Sequence, residues 1–252
     1  MQRYFVPDKQ FELKEGRVWL QGEDAHHITH VMRMNISDSI ICANNQGDGF
    51  LCRISGIEGD KVCAAIESKL AEKPELPIQV VLAQGVPKGD KFDTIVEKGT
   101  ECGAFSFIPF QAERSIARWP KEKIAKKKHR LAKIAKEAAE QSHRLRAPDV
   151  SVPQTAEELI RLGQSFDWKI VAYEETAKQG VQDRLPRLLS KMNAGERLLA
   201  VIGPEGGISP QEAAAFKAGG FVFCGLGSRI LRTETAPIYL LACISYHFEL
   251  LN

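Results

Sequence analysis

The sequence lacks several features that would place the protein outside the cytoplasm. No apolar run approaches the roughly 18 residues that a membrane-spanning helix needs. Residues 1–16 lack the apolar stretch of a secretory signal. The six cysteines, at positions 42, 52, 63, 102, 224 and 243, form no Cys-x-x-Cys pair. We therefore expect a cytoplasmic protein with no membrane contact and with reduced cysteines packed in its core.

Common catalytic and cofactor motifs are also missing. The sequence has no phosphate-binding loop of the G-x-x-x-x-G-K-[ST] type, no dinucleotide G-x-G-x-x-G motif and no nucleophilic Ser or Cys turn. His26 and His30 have the i, i+4 spacing of helical metal ligands, and His27 lies between them, but no third ligand follows at a clear spacing. Asp24 fits better as the cap of a short helix. We therefore expect no metal.

The charge balance is uneven along the chain, although the formal net charge is only +2. Residues 114–146 contain twelve Lys and Arg but three Asp and Glu, a local charge of +9, and the rest of the chain carries −7. A segregated basic segment of this kind is typical of nucleic-acid binding. The helical pattern over 121–144 places Ile124, Leu131, Ile134 and Ala138 on one face and leaves the lysines for solvent or RNA phosphates.

The pattern of apolar runs predicts two domains. Residues 1–72 contain short strand candidates at 39–43, 49–57 and 61–66, separated by turn sequences, and form a small β-rich module. A charged linker with two prolines, residues 71–77, follows. Residues 73–252 alternate strands (78–83, 105–110, 169–173, 198–202, 221–224) with helices (91–98, 121–144, 185–191, one opening at 209–210, and 235–250). Such alternation predicts an α/β domain with a parallel sheet covered on both faces.

Two glycine-bearing segments follow neighbouring strands of the second domain. They are residues 202–209 (IGPEGGIS) and 226–236 (LGSRILRTETA). Glycine lets the backbone approach a ligand closely, and ligands of parallel sheets bind at the carboxyl ends of the strands. Ser209 and Pro210 fit an N-cap followed by the first helical residue. A tight structural turn remains an alternative for the first segment, and an anchoring role for Ile230 and Leu231 remains one for the second.

The two glycine segments resemble the signature segments of the SPOUT methyltransferases. More specifically, they resemble the bacterial family that makes 3-methyluridine in small-subunit (16S) ribosomal RNA. The resemblance extends in order along the chain, through residues 3–5, 27–33, 98–103, 113–115 and 137–141. Cys102 and Ala104 depart from the family's usual Leu and Val, at positions that we interpret as packing.

The resemblance implies a fold and a set of site residues. The first domain would be a PUA-like RNA-binding β-barrel, and the second would carry a deep trefoil knot at its C-terminal end. The protein would bind S-adenosylmethionine as a homodimer, with the active site near the subunit interface. The cofactor-binding residues would be Gly203, Pro204, Glu205, Gly206, Gly207, Leu226, Gly227, Ile230, Leu231, Arg232, Thr235 and Ala236.

Methylation at N3 of uridine requires loss of the N3 proton and stabilisation of the charge that develops on the base. The candidate catalytic residues are Arg114 and Arg232, with Glu205 as a weaker candidate for handling the proton. The candidate RNA-binding residues are Arg3, Arg33, Lys88, Arg114, Lys126, Lys127, Lys128 and Arg130.

Three other functions stay open at this point. The same chemistry could act on another RNA nucleotide, including one in transfer RNA. A non-catalytic RNA-binding protein of ribosome assembly would bind RNA but no S-adenosylmethionine. A small-molecule enzyme would leave the basic segment unexplained. If the protein methylates uridine in small-subunit ribosomal RNA, its substrate could be either the naked RNA or the assembled small subunit.

Overall fold

We describe a computed structural model of the chain, which defines residues 1–173 and 184–251. The chain divides into two compact units. The first contains Met1–Glu75 together with Ala139–Ala147, and the second contains Leu76–Ala138 and Pro148–Asn252. The predicted division at 72/73 did not include the return of residues 139–147 to the first unit. That return begins in the last turn of the basic helix, where no composition change marks it.

The first unit is a curled, mixed six-stranded sheet. Its strand order is β1-β4-β5-β6-β3-β2, with β1 parallel to β4 and the other pairs antiparallel. Its strands are β1 (Arg3–Phe5), β2 (Phe11–Glu12), β3 (Arg17–Gln21), β4 (Ser39–Ala43), β5 (Gly49–Glu58) and β6 (Lys61–Lys69). The three predicted strands correspond to β4, β5 and β6. Strands β1, β2 and β3 were not predicted; β1 and β2 are only three and two residues long.

A short helical segment covers one part of this sheet. Helix α1 (Glu23–His26) continues into a π-helical turn (His27–Val31), and Ala25 and Ile28 are buried against the sheet. A 3-10 turn (Asp8–Gln10) precedes β2. The predicted capping role of Asp24 is wrong: Gly22 occupies the cap position and Asp24 lies within the first turn. There the negative charge of its carboxylate can still interact favourably with the positive end of the helix dipole.

The second unit is built on a parallel six-stranded sheet, as the alternating pattern predicted. Its order is β12-β10-β11-β7-β8-β9. The strands are β7 (Gln79–Gly85), β8 (Ser106–Phe110), β9 (Asp149–Val150), β10 (Trp168–Ala172), β11 (Arg197–Ile202) and β12 (Val222–Cys224). Register pairs Ile202 with Gln84 on one side and with Ala172 on the other, so these strands end at one level.

Helices pack on both faces of this sheet. They are α2 (Lys91–Glu101), α3 (Lys121–Gln141), α4 (Ala156–Leu162), α5 (Arg184–Leu189), α6 (Pro210–Ala218) and α7 (Thr235–Ser245), with a 3-10 turn at Gly163–Ser165 and a π-helical turn at Tyr246–Leu250. Successive residues of β11 bury on opposite faces: Leu198 and Ala200 enter one apolar core, and Leu199 and Val201 enter the other. Two-sided burial explains why these strands have continuous apolar sequences.

The C-terminal segment crosses the sheet before its last helix. Strand β12 lies at one edge, whereas α7 packs against α2 and β7. Residues 225–234 therefore pass the carboxyl ends of β10 and β11, beside the loop that follows β11. The trefoil knot that the family resemblance implies remains a prediction.

Candidate active site

The loop after β11 forms one wall of the site. Ser209 caps α6: its Oγ accepts a hydrogen bond from the Glu212 N–H at 3.1 Å, and the Glu212 carboxylate accepts one from the Ser209 N–H at 2.9 Å. Pro210 occupies the first turn, as predicted. This reciprocal cap fixes the direction in which residues 203–209 leave the sheet.

Two glycines of the site are required by close backbone contacts. A Cβ on Gly85, at the end of β7, would lie 2.2 Å from the backbone nitrogen of Pro204. A Cβ on Gly206 would lie 2.8 Å from the carbonyl oxygen of Arg114. Neither backbone neighbour can move aside as a flexible side chain could, so larger residues would displace the loop.

A buried chain of hydrogen bonds joins the two glycine segments. The Gln84 side-chain amide donates to Thr233 Oγ1 at 2.9 Å, and Thr233 Oγ1 donates to the Gly203 carbonyl oxygen at 2.9 Å. Gln84 is fully buried and Thr233 is 7% exposed. The network links the end of β7, the first segment and the second segment through side chains that are almost entirely buried.

Between these segments lies a cavity of about 570 Å³. Of the predicted cofactor residues, eleven line it: Gly203, Pro204, Glu205, Gly206, Gly207, Leu226, Gly227, Ile230, Leu231, Arg232 and Ala236. Arg114 lines it as well. Thr235, also predicted, is exposed and is not among the lining residues. The other lining residues are Lys91, Ala172, Tyr173, Ile202, Ile208, Arg229 and Thr233.

Lys91 pairs with Glu205, which lines the cavity, and with Glu234, which precedes α7. Its Nζ lies 3.3 Å from Glu205 Oε1 and 3.2 Å from Glu234 Oε2. The Lys88 N–H also donates to Glu205 Oε1, at 3.2 Å. Partial burial acts to raise the pKa of Glu205, but the hydrogen bonds from backbone N–H groups and from Lys91 outweigh it, so the pKa lies below its usual range. Glu234 and Glu205 raise the pKa of Lys91. Sequence reasoning missed Lys91, because nothing local distinguishes it from other lysines at a helix start.

The Arg114 loop is attached to the same cap. Glu212 Oε1 accepts a hydrogen bond from the Glu113 N–H at 2.7 Å, in addition to its bond with Ser209. Arg114 Nη1 lies 3.4 Å from the Gly206 carbonyl oxygen. Glu212 is only 8% exposed. One buried carboxylate therefore positions both the Arg114 loop and the first glycine segment.

Arg232 lines the cavity from the turn that precedes α7. Its backbone carbonyl accepts hydrogen bonds from the N–H groups of Thr235 and Ala236, at 2.9 and 3.0 Å, while its side chain is exposed. Arg114 is exposed too. The structure thus brings both predicted arginines to one cavity with their guanidinium groups open to a bound molecule.

Helix α3 buries the face that its pattern predicted. Leu131 and Ala138 are buried, and Ile124 and Ile134 pack partly buried against the core. On its other faces, Lys126 is exposed and Lys128 Nζ lies 3.7 Å from Asp149. Lys127 Nζ lies 5.4 Å from the ring centre of Trp119. Arg130 pairs with Asp93 at 2.6 Å.

The remaining predicted RNA contacts differ in exposure. Lys88 and Arg33 are exposed, and Arg33 has a left-handed backbone, with φ of 52°. Arg3 is 9% exposed, and its guanidinium donates to the carbonyl oxygens of His143 and Arg144. Because those bonds hold the Arg3 guanidinium inside the first unit, its predicted contact with RNA is not supported.

The cysteines and histidines take part in packing. All six cysteines are free, and four of them are buried. Burial raises the pKa of Cys224 to about 11, which disfavours its thiolate. The rings of His26 and His30 stack 4.6 Å apart. Within residues 1–173 and 184–251, no group of three potential metal ligands occurs and no helix is long and apolar enough to cross a membrane.

Comparison with known families defines the class. The model of the RNA methyltransferase domain family matches residues 74–245, and that of the RNA methyltransferase PUA domain matches residues 20–67. The chain belongs to the RNA methyltransferase family, with a PUA-like domain at its N-terminus.

Particular relatives share nearly the whole chain. It is 46% identical to ribosomal RNA small subunit methyltransferase E of Bacillus subtilis, over 100% of this chain and 99% of that protein. It is also similar to the structure of ribosomal RNA small subunit methyltransferase E from Neisseria gonorrhoeae bound to S-adenosylmethionine, with 28% identity, a TM-score of 0.83 and 97% of each chain covered. A Legionella pneumophila methyltransferase structure with bound S-adenosylmethionine gives 28% identity, a TM-score of 0.80 and the same coverage. The predicted fold class, a SPOUT-type α/β domain with a PUA-like domain, is confirmed.

Proposed function

We propose that this protein transfers the methyl group of S-adenosylmethionine to N3 of a uridine in small-subunit ribosomal RNA. The observation that carries the proposal is the single cavity in which two glycine segments and two arginines converge, in a chain that matches small-subunit methyltransferases from end to end. The similar methyltransferases support small-subunit ribosomal RNA as the substrate. The family resemblance supports N3 of uridine as the atom that is methylated.

The cavity fits S-adenosylmethionine in size and chemistry. Its volume falls within the range of roughly 300–1,000 Å³ that is usual for small-molecule sites. Leu226, Ile230 and Leu231 offer apolar surface for an adenine ring, and the close-packed glycine backbone offers amide and carbonyl groups. When bound, this cofactor supplies a methyl group on a positively charged sulfur. The Glu205 carboxylate, which lines the cavity and also pairs with Lys91, contributes negative charge on the cofactor side.

The arginines would act on the uridine. Removing the N3 proton leaves negative charge on the ring, shared with its two carbonyl oxygens. A guanidinium at either oxygen stabilises that charge and lowers the energy of the anion. Arg114 and Arg232 line the cavity and remain open, so we assign this role to them.

Glu205 is the less suitable proton acceptor of the candidate groups. Its carboxylate is held by the Lys88 N–H and by Lys91, and its pKa lies below the ordinary range. A carboxylate stabilised in this way is a weak base. We therefore assign Glu205 to the electrostatics of the cavity and leave proton removal to water assisted by the arginines.

The basic surface would hold the RNA by its phosphates. Lys88, Lys126, Lys127, Lys128 and Arg130 supply positive charge on the second unit, and Arg33 supplies it on the first. Phosphate contacts position a nucleic acid without reading its sequence. We further propose that the protein acts in the cytoplasm, where a ribosomal RNA substrate would be met.

We also propose a homodimer, as the family resemblance implies. Tyr246, Leu250 and Leu251, in and beside the π-helical turn after α7, are 55–72% exposed. Ile230, at the cavity rim, is 72% exposed. Exposed large apolar side chains of this kind favour contact with another protein surface.

Transfer of a labelled methyl group tests the proposed reaction and the proposed RNA substrate. Radiolabelled S-adenosylmethionine is incubated with small ribosomal subunits, with naked small-subunit RNA and with transfer RNA, all taken from cells lacking the enzyme. Label in either small-subunit sample and none in transfer RNA is expected. Label in transfer RNA alone would rule out small-subunit ribosomal RNA as the substrate. Cofactor binding without any transfer would also discard it, and RNA binding without cofactor binding would favour an assembly protein.

A further inference from the structure

A second, smaller cavity lies at the start of α2, next to the methyl-transfer cavity between the two glycine segments. Its volume is about 150 Å³. Phe92, Trp119 and Leu131 form an apolar floor, in which the rings of Phe92 and Trp119 meet edge to face with centres 5.4 Å apart. All three floor residues are at most 8% exposed. The floor is thus a rigid part of the core.

The rim of this cavity is cationic. Arg118, Lys127 and Arg130 line it, together with one acidic residue, Asp93. The rim therefore keeps a net charge of about +2 after the Arg130–Asp93 ion pair is formed. Arg118 is exposed and has no hydrogen bond or ion pair with another described residue. A cationic rim over an aromatic floor suits a nucleotide, whose phosphate is anionic and whose base or ribose is flat and weakly polar.

The two cavities share one wall. Val86, Pro87 and Gly89 line the small cavity, while the N–H of Lys88, between them, binds Glu205 of the methyl-transfer cavity. Lys91 faces that larger cavity, and the next residues, Phe92 and Asp93, face the small one. An RNA strand that places one base in the larger cavity would pass this wall with a neighbouring nucleotide.

We propose that the small cavity binds a nucleotide that flanks the methylated one in the RNA substrate, with its phosphate held by Arg118 and Lys127. This inference rests on the proposed function, because it takes the bound polyanion to be the RNA that is methylated. It adds Arg118 and Trp119 to the RNA-binding residues predicted from the sequence.

The test compares charge-removing variants inside and outside the cavity. Binding of unmethylated small-subunit RNA is measured by filter binding over a range of salt concentrations for the parent protein, Arg118→Ala, Lys127→Gln and Lys133→Gln. Lys133 is the matched control, because it is an exposed lysine of the same helix outside the cavity. Affinity for S-adenosylmethionine is measured for each variant as a test of folding.

We expect Arg118→Ala and Lys127→Gln each to weaken RNA binding about three- to tenfold. Each should also reduce the magnitude of the slope of log K against log salt concentration by about 0.7–1. Lys133→Gln should change both far less, and none should change cofactor affinity. Equal effects of all three substitutions would overturn the proposal, since the cavity would then add nothing to the general charge. A further outcome is that the parent protein binds RNA but transfers no methyl group, while only the two cavity variants lose RNA binding. That result would support the cavity's role in RNA binding and refute the proposed reaction.

Discussion

Thr233 Oγ1 donates a hydrogen bond of 2.9 Å to the carbonyl oxygen of Gly203, thirty positions earlier in the chain. The same hydroxyl accepts one from Gln84. Both glycine segments are thereby fixed to one strand end, and the cavity between them keeps its shape before any ligand binds. Preorganisation of this kind reduces the ordering that binding would otherwise require.

Replacing Thr233 by valine should loosen both segments. The change removes a buried donor and acceptor and leaves the Gly203 carbonyl without this partner. We expect the free energy of unfolding to fall by about 1–3 kcal/mol and affinity for S-adenosylmethionine to fall with it, as measured by urea unfolding and calorimetry. Thr235→Val is the comparison. If it lowers cofactor affinity more than Thr233→Val does, the originally predicted Thr235 is the binding residue.

Replacing Lys91 should change how the site responds to acid. A carboxylate with a depressed pKa stabilises the folded site above its unfolded pKa and loses that effect as the pH falls through the folded value. Without Lys91 the pKa of Glu205 rises, so Lys91→Met should lose cofactor affinity at a higher pH than the parent. Lys91→Arg keeps the charge and should restore most of the profile. Superimposable pH profiles for the parent and Lys91→Met would contradict the role assigned to this ion pair.

Glu212 should affect catalysis without touching the bound molecules. Glu212→Ala removes the acceptor for both Ser209 and Glu113, so the Arg114 loop loses its attachment. We expect a lower kcat with a smaller change in cofactor affinity, together with a loss of stability of about 1 kcal/mol from the cap. Glu158 provides the control, because it forms the same capping box at α4, away from the cavity. Glu158→Ala should lower stability alone.

Both arginines should contribute to turnover, because both are assigned to stabilise the charge that develops on the uridine. Removing one preorganised donor to a developing anion costs about 10²–10³ in kcat in other enzymes. We expect a loss of this order in Arg114→Ala and in Arg232→Ala, with partial recovery when the same position carries lysine. Arg232→Ala with unchanged turnover and cofactor affinity would refute the assignment of Arg232.

The sequence predicted the sheet well because its strands are buried on both faces. Continuous apolar runs such as 198–202 and 78–83 differ from the observed β11 and β7 by two residues at most. Ser209 and Pro210 gave a cap signal that depends only on local chemistry. The two glycine segments were found because they follow apolar strands, whereas the individual cofactor residues within them were implied by the family resemblance.

What the sequence did not reveal depends on contacts between distant residues. Lys91 joins two carboxylates that are more than a hundred positions away, and Thr233 differs from Thr235 only in the direction its side chain takes. The burial of Arg3 depends on residues 143 and 144 returning to the first unit. Trp119 and Arg118 stand in an irregular segment without a motif, so only the folded chain places them in one cavity.

Identification of the methylated nucleoside tests the central claim most directly. Small-subunit RNA from the transfer reaction is digested to nucleosides and analysed by chromatography and mass spectrometry. We predict 3-methyluridine, formed by the parent protein and reduced in the Arg114 or Arg232 variants. A labelled nucleoside other than 3-methyluridine would contradict the proposed reaction and would assign the same cavity to a different RNA nucleotide.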